Sequence, residues 1–189
     1  FAALASLLVG VGSWSCRKLL EGLPPIQALE EYTPSLSPRV YDSKGGVIAE
    51  FSIEKRALLP LTKIPVDLQN AVIAVEDDNF FKHWGISPKG MLRSSARSFL
   101  ARRWVQGAST ITQQLAKQIF LKPERKISRK IREVLLALQI EANFSKSEIL
   151  QLYLNQVYFG EGAYGVQSAA RNYFGKEVSE LTLADCALL

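Results

Sequence analysis

The sequence predicts a mostly α-helical domain preceded by a short β-hairpin and an apolar leading segment, and three observations carry that reading. From Pro65 onward, apolar residues recur at helical rather than strand spacing. Capping-box patterns mark separate helix starts at Thr110 with Gln113 and at Ser145 with Glu148, pairs whose side chains satisfy the orphan amides of a first turn. The composition, 48% hydrophobic and 22% charged over 189 residues, suits one core with an appendage, and no repeat or low-complexity tract interrupts it.

Taken in order, FAALASLLVGVGSWSC carries no charge before Arg17 and Lys18, and Gly10, Gly12, Ser13 and Ser15 would spoil a soluble helix. Residues 1–18 are therefore expected to be the end of a transmembrane anchor, with a signal-peptide core as the alternative. Residues 19–38 hold Pro24, Pro25, Pro34 and Pro38, the composition of a semi-rigid linker. Residues 39–64 form a hairpin and lead-in, because Gly45 and Gly46 divide two short runs rich in Val, Ile, Tyr and Phe. The main domain, expected to be truncated at its C-terminus, covers residues 65–189.

Within that domain, helices are predicted over 66–76, 110–121, 128–143, 145–155, 165–174 and 182–189. Their expected core faces are Leu68, Ala71, Val72 and Val75; Ile111, Leu115 and Ile119; and Ile131, Val134, Leu135 and Leu138. Between the first two helices, Leu92, Ala96 and Phe99 run beside Lys89, Arg93 and Arg97, which suits a helix lying on an anionic membrane. Lys and Arg outnumber Asp and Glu by 23 to 18, so an anionic partner is expected: a phosphate, a nucleic acid or a membrane face. Cys16 and Cys186 give neither a disulfide scaffold nor a metal-site spacing.

The chemistry concentrates in two places. In AVEDDNFFKHWG, Glu76, Asp77 and Asp78 fall at the end of a helix, where each anion costs about 0.3–1 kcal/mol. Such crowding raises a carboxylate's proton affinity, the condition for a general base or a divalent-cation site; a solvated acidic turn is the competing reading. His83 has no second His to complete a metal set and reads as structural, and Phe80, Phe81 and Trp84 read as core beneath the turn.

The second place is GASTITQQLAK, whose free helix N-terminus offers amides and hydroxyls to an anion. It is followed by Lys122, Arg125, Lys126, Arg129, Lys130 and Arg132, a cation density suited to diphosphate. Gln114 and Lys117 stand one turn apart on a second face, and Arg129 stands four residues before Glu133. That last pair is either a surface ion pair or an active-site carboxylate held among cations. Two motif matches carry nothing: Gly160, Gly162 and Gly165 follow a helix and read as a flexible turn, and Ser15 with Lys18 lacks its transpeptidase companions.

EDDNFFKHWG, GASTITQQLAKQIFL, RKIRE, KSEILQLYLN and GAYGVQSAARNYFGK together resemble, in this order, the five motifs of the peptidoglycan glycosyltransferase (transglycosylase) domain of class A penicillin-binding proteins. The resemblance implies a lysozyme-like helical lobe with a smaller membrane-associated jaw. Such a domain sits on the outer side of the bacterial cytoplasmic membrane, held by a single-pass anchor, and polymerises lipid II into glycan strands by inverting transfer that releases undecaprenyl diphosphate. It implies Glu76 as the general base and Glu133 as the second essential glutamate. Ser109, Thr110, Gln114, Lys117, Arg129 and Lys130, with Lys146 and Tyr153, match substrate-binding positions. Mg²⁺ or Mn²⁺ would supplement the cations, with Asp77 as its ligand, and no organic cofactor is implied. The implied partners are lipid II, the growing glycan strand, the membrane and other cell-wall synthesis or division proteins, not nucleic acid. Ala108 and Gln118 depart from the usual Gly and Asn of the second motif. The alternative is a lytic transglycosylase or lysozyme-like enzyme, against which the cations argue, since glycan cleavage has no diphosphate to hold.

Overall fold

The computed structural model describes residues 39–41, 43, 47–50, 59–88, 90, 109–122, 124 and 126–189. The predicted anchor, the linker, the amphipathic stretch beyond residue 90 and Arg125 lie outside the described residues. Among those described, no helix is long and apolar enough to cross a membrane.

The predicted hairpin is present as β1 (Arg39–Tyr41) and β2 (Val47–Glu50), antiparallel with Arg39 opposite Glu50 and the register shifting between Val40 and Tyr41. A 3₁₀ turn, Leu61–Lys63, leads into α1 (Val66–Glu76), which starts behind Pro65 as its ring geometry favours. Next come the 3₁₀ turn Phe80–Lys82, α2 (Ile111–Phe120), α3 (Ile127–Asn143) and α4 (Lys146–Gln156). A second hairpin, β3 (Tyr158–Gly160) with β4 (Ala163–Tyr164), separates these from α5 (Val166–Phe174) and α6 (Leu183–Leu188). The capping boxes at Thr110 and Ser145 are both formed, and Thr182 with Asp185 makes a third.

The core is built where α2 packs against α3 and α4, with Ile111, Leu115, Leu136, Ile140, Ile149 and Leu154 fully buried. Leu68 and Phe80 close it from the α1 side, and Val166 from α5. Asn155 ties the lead-in to α4 through both ends of its amide: Oδ1 accepts from the Leu59 N–H and Nδ2 donates to the Leu59 carbonyl, each at 2.8 Å.

Several expected faces are corrected. On α1 only Leu68 is fully buried, and Val75 is 83% exposed because the last turn projects past the core. Phe80 fills the core, whereas Phe81 and Trp84 are more than half exposed, since the 3₁₀ turn points only one of its rings inward. On α3 the buried residues are Glu133, Leu136, Ala137 and Ile140, while Ile131 is exposed and Val134, Leu135 and Leu138 are half-buried. The helix is rotated toward the side on which Glu133 meets its cations. The glycine triplet follows α4, as expected, and belongs to a tight antiparallel hairpin: Gly160 ends β3, Gly162 lies in the turn and Gly165 precedes α5. At Gly165, φ is +77° and an added Cβ would lie 2.5 Å from the Asn155 carbonyl oxygen, so only glycine fits.

Candidate active site

The site is organised by the first turn of α2. The chain leaves α1 after Glu76, and Asp77 turns back so that its Oδ2 accepts from the Ile111 N–H at 3.0 Å and from His83 Nε2 at 2.8 Å. His83 Nδ1 accepts from the Gly85 N–H at 3.1 Å, so Nδ1 is bare and the ring proton sits on Nε2, donated to Asp77. The Gly85 carbonyl in turn accepts the Thr110 hydroxyl at 2.7 Å. These bonds close a buried loop that clasps the end of α1 to the start of α2.

The clasp resolves the acidic triplet. Asp77 does not face the negative pole of its own helix; it faces the positive pole of the next one, where a carboxylate is favoured. It also bears on two expectations. The α2 N-terminus is not free for an anion, because the Thr110, Ile111 and Gln113 amides are taken by Gln113, Asp77 and Thr110 respectively. Asp77, the expected metal ligand, is buried with its Oδ2 committed to two donors. Among the described residues no three His, Cys, Asp or Glu side chains are grouped to hold a metal ion. The residues present do not fit a protein-built cation cage, and His83 has the structural role its isolation suggested.

Glu76, one residue earlier, points the other way and is exposed. Its Oε2 accepts from Gln114 Nε2 at 2.7 Å, and Gln114 Oε1 accepts from the Tyr153 hydroxyl at 3.2 Å. Tyr153 is 2% exposed, and burial, reinforced by the charge of Glu76, pushes its phenol well above the usual range. Glu76 and Tyr153 border a groove of about 330 Å³ walled by Val72, Val75, Val157, Phe159, Leu188 and Leu189. The Cys186 thiol, pushed up by burial, lies in the same wall. Nothing in the sequence pattern pointed to this groove, because its walls come from α1, α4, β3 and α6.

Glu133, on α3, is 2% exposed and accepts from Arg129 Nη1 at 3.2 Å and from Lys130 Nζ. Lys130 Nζ also donates to Ser109 Oγ at 2.8 Å, and Arg129 Nε donates to the Glu124 carbonyl. One buried carboxylate thus aims two half-exposed cations, of which Lys130 also reaches the residue that precedes the α2 cap. Lys117 is exposed one turn beyond Gln114. Glu76, Ser109, Thr110, Gln114, Lys130, Glu133 and Tyr153 are thereby linked through α2, with Arg129 joined through Glu133.

Lys146 belongs to a different cluster. Its ammonium contacts Glu141 Oε1 at 2.6 Å and lies 4.6 Å from the centre of the Phe80 ring, and the same Glu141 oxygen accepts the Thr112 hydroxyl. Sequence reading missed Thr112, Gly85 and Glu141, whose parts depend on which helix faces meet.

The Transglycosylase family model matches residues 44–189. Penicillin-binding protein 1A of Aquifex aeolicus is 49% identical over 171 residues, which is 90% of this chain and 24% of that protein. The protein of the same name from Escherichia coli is 41% identical over 189 residues, 99% of the chain and 22% of its own length. The counterpart from Rickettsia bellii is 43% identical over 170 residues, covering 88% of the chain and 22% of that protein. The chain therefore spans about a quarter of the length of these relatives.

Proposed function

Because the chain belongs to the transglycosylase family, we propose that it acts as a peptidoglycan glycosyltransferase domain, extending glycan strands from lipid II. The observation that carries this reading is that α2 and the residue before its cap engage both an exposed carboxylate, Glu76, through Gln114, and a cation, Lys130, through Ser109, with Arg129 joined to Lys130 through Glu133.

In the proposed step, the acceptor sugar's 4-hydroxyl oxygen attacks the donor's anomeric carbon while its proton passes to Glu76 Oε1. The bond from that carbon to the diphosphate oxygen breaks, and its electron pair departs with undecaprenyl diphosphate, giving inversion. Arg129, Lys130 and exposed Lys117 take up the charge that grows on the leaving oxygen, and the Ser109 hydroxyl holds Lys130 in place. Glu133 is 2% exposed with both oxygens engaged by the cations, so it serves by positioning them rather than by touching a sugar. Thr110 serves likewise through the clasp.

In this reading the helical core is the lysozyme-like lobe. The site works at the outer face of the cytoplasmic membrane, alongside other cell-wall proteins. Wild type supplied with lipid-linked disaccharide-pentapeptide should polymerise it, and supplied with finished glycan should leave it intact. Cleavage of the glycan with no polymer formed would replace this reading with that of a lytic enzyme.

A further inference from the structure

Tyr153 is matched by resemblance to a substrate-binding position, yet its surroundings leave it little to bind with. It is 2% exposed in the core cluster, and its hydroxyl is directed at Gln114 Oε1, 3.2 Å away. A carboxamide has one donating and one accepting end, so a partner that takes one end selects what the other offers. With its ionisation suppressed by burial and by the charge of Glu76, the phenol remains a donor and claims the oxygen. The Gln114 NH₂ is then turned toward Glu76, 2.7 Å from Oε2. Glu76, the last residue of α1, is exposed, and among the described residues the Gln114 amide is what holds its side chain.

We propose that Tyr153 is a positioning residue, which acts through the Gln114 amide to hold one oxygen of Glu76 and so leave the other aimed at the acceptor hydroxyl. The inference rests on the reading of Glu76 as the base. A buried phenol that merely fills space would place its ring in the same way, but it would not need this chain of two directed bonds ending on the reactive carboxylate. Loss of the hydroxyl should release the amide, which stands half-buried on α2, to turn or swing outward.

The test is steady-state polymerisation of lipid-linked disaccharide-pentapeptide by wild type, Tyr153→Phe, Gln114→Ala and the double variant, with thermal melts of each. Tyr153→Phe keeps the ring and should fold as wild type does. It should lower kcat on the order of tenfold with KM for the donor unchanged. In the Gln114→Ala background, the same change should cost nothing further, because its effect travels through the amide. A rise in KM at constant kcat would make Tyr153 a substrate contact and overturn the proposal, and so would losses that add in the double variant. A wild type inactive on the precursor, or a fully active Glu76→Gln, would instead sink the reading of the base on which the inference stands.

Discussion

Glu76 and Asp77 are neighbours with the same charge group and opposite duties, and the difference lies in where each side chain points. Glu76 is exposed, and a carboxamide can still accept the Gln114 hydrogen bond, so Glu76→Gln should change stability by no more than about 0.5 kcal/mol. The same variant should lose polymerisation by about 10²–10⁴-fold, the usual worth of a general base. Asp77→Ala should do the reverse in kind: it strands the His83 N–H and the Ile111 N–H and should destabilise by about 2–5 kcal/mol, read by denaturant melts. Chelator should leave that difference in stability unchanged, because Asp77 works through an imidazole and an amide. The acidic triplet and the lone histidine were legible in the sequence. Their division of labour was not, since the choice between turning back and pointing outward is made by an amide 34 residues further along the chain.

At the scale of elements, local chemistry set most of the boundaries. Ser145 accepts the Glu148 N–H at 3.3 Å and the Glu148 carboxylate answers at 2.7 Å, so Ser145→Ala should cost about 1 kcal/mol. Gly165 joins the second hairpin to α5 with a positive φ, and Gly165→Ala should cost at least about 1–3 kcal/mol in backbone strain, seen as a lowered Tm. Helix α6 is pinned by Asp185, which closes its capping box and meets Lys176 Nζ at 2.8 Å. The Lys176 hydrogen bond, then the Thr182 amide and hydroxyl, hold its pKa down from 3.8 to about 2. A carboxylate depressed in the folded state contributes stability above its unfolded pKa and loses it as pH falls through the folded one. Wild type should thus lose its advantage over Asp185→Asn between about pH 4 and pH 2, with the two melting curves converging below that window. Helix starts were readable because a cap is a four-residue affair. The inward face of α3 was not, because its periodic apolar residues allowed more than one side and the buried ion cluster at Glu133 decided between them.

Across the whole molecule, the proposed catalytic arrangement depends on elements that meet only in the folded state. Glu133 on α3 aims Lys130 at Ser109, just ahead of α2, while α2 also carries Gln114, which holds Glu76 at the end of α1. Glu133→Gln should therefore weaken grip on the leaving group rather than remove the base. Its kcat/KM for the lipid-linked donor should fall about tenfold or more, with inhibition by inorganic diphosphate weakened in parallel. By itself, the sequence determined a mostly helical domain, the positions of its helix starts and the family whose five motifs it carries, because capping and motif order are written in neighbouring residues. Only the tertiary structure decided that Asp77 is a clasp, that Tyr153 and Glu133 are buried, that Lys146 stands in a separate cluster, and that a groove opens beside Glu76. Each of those outcomes depends on which donor a buried polar group meets across the fold, and spacing along the chain does not encode that meeting.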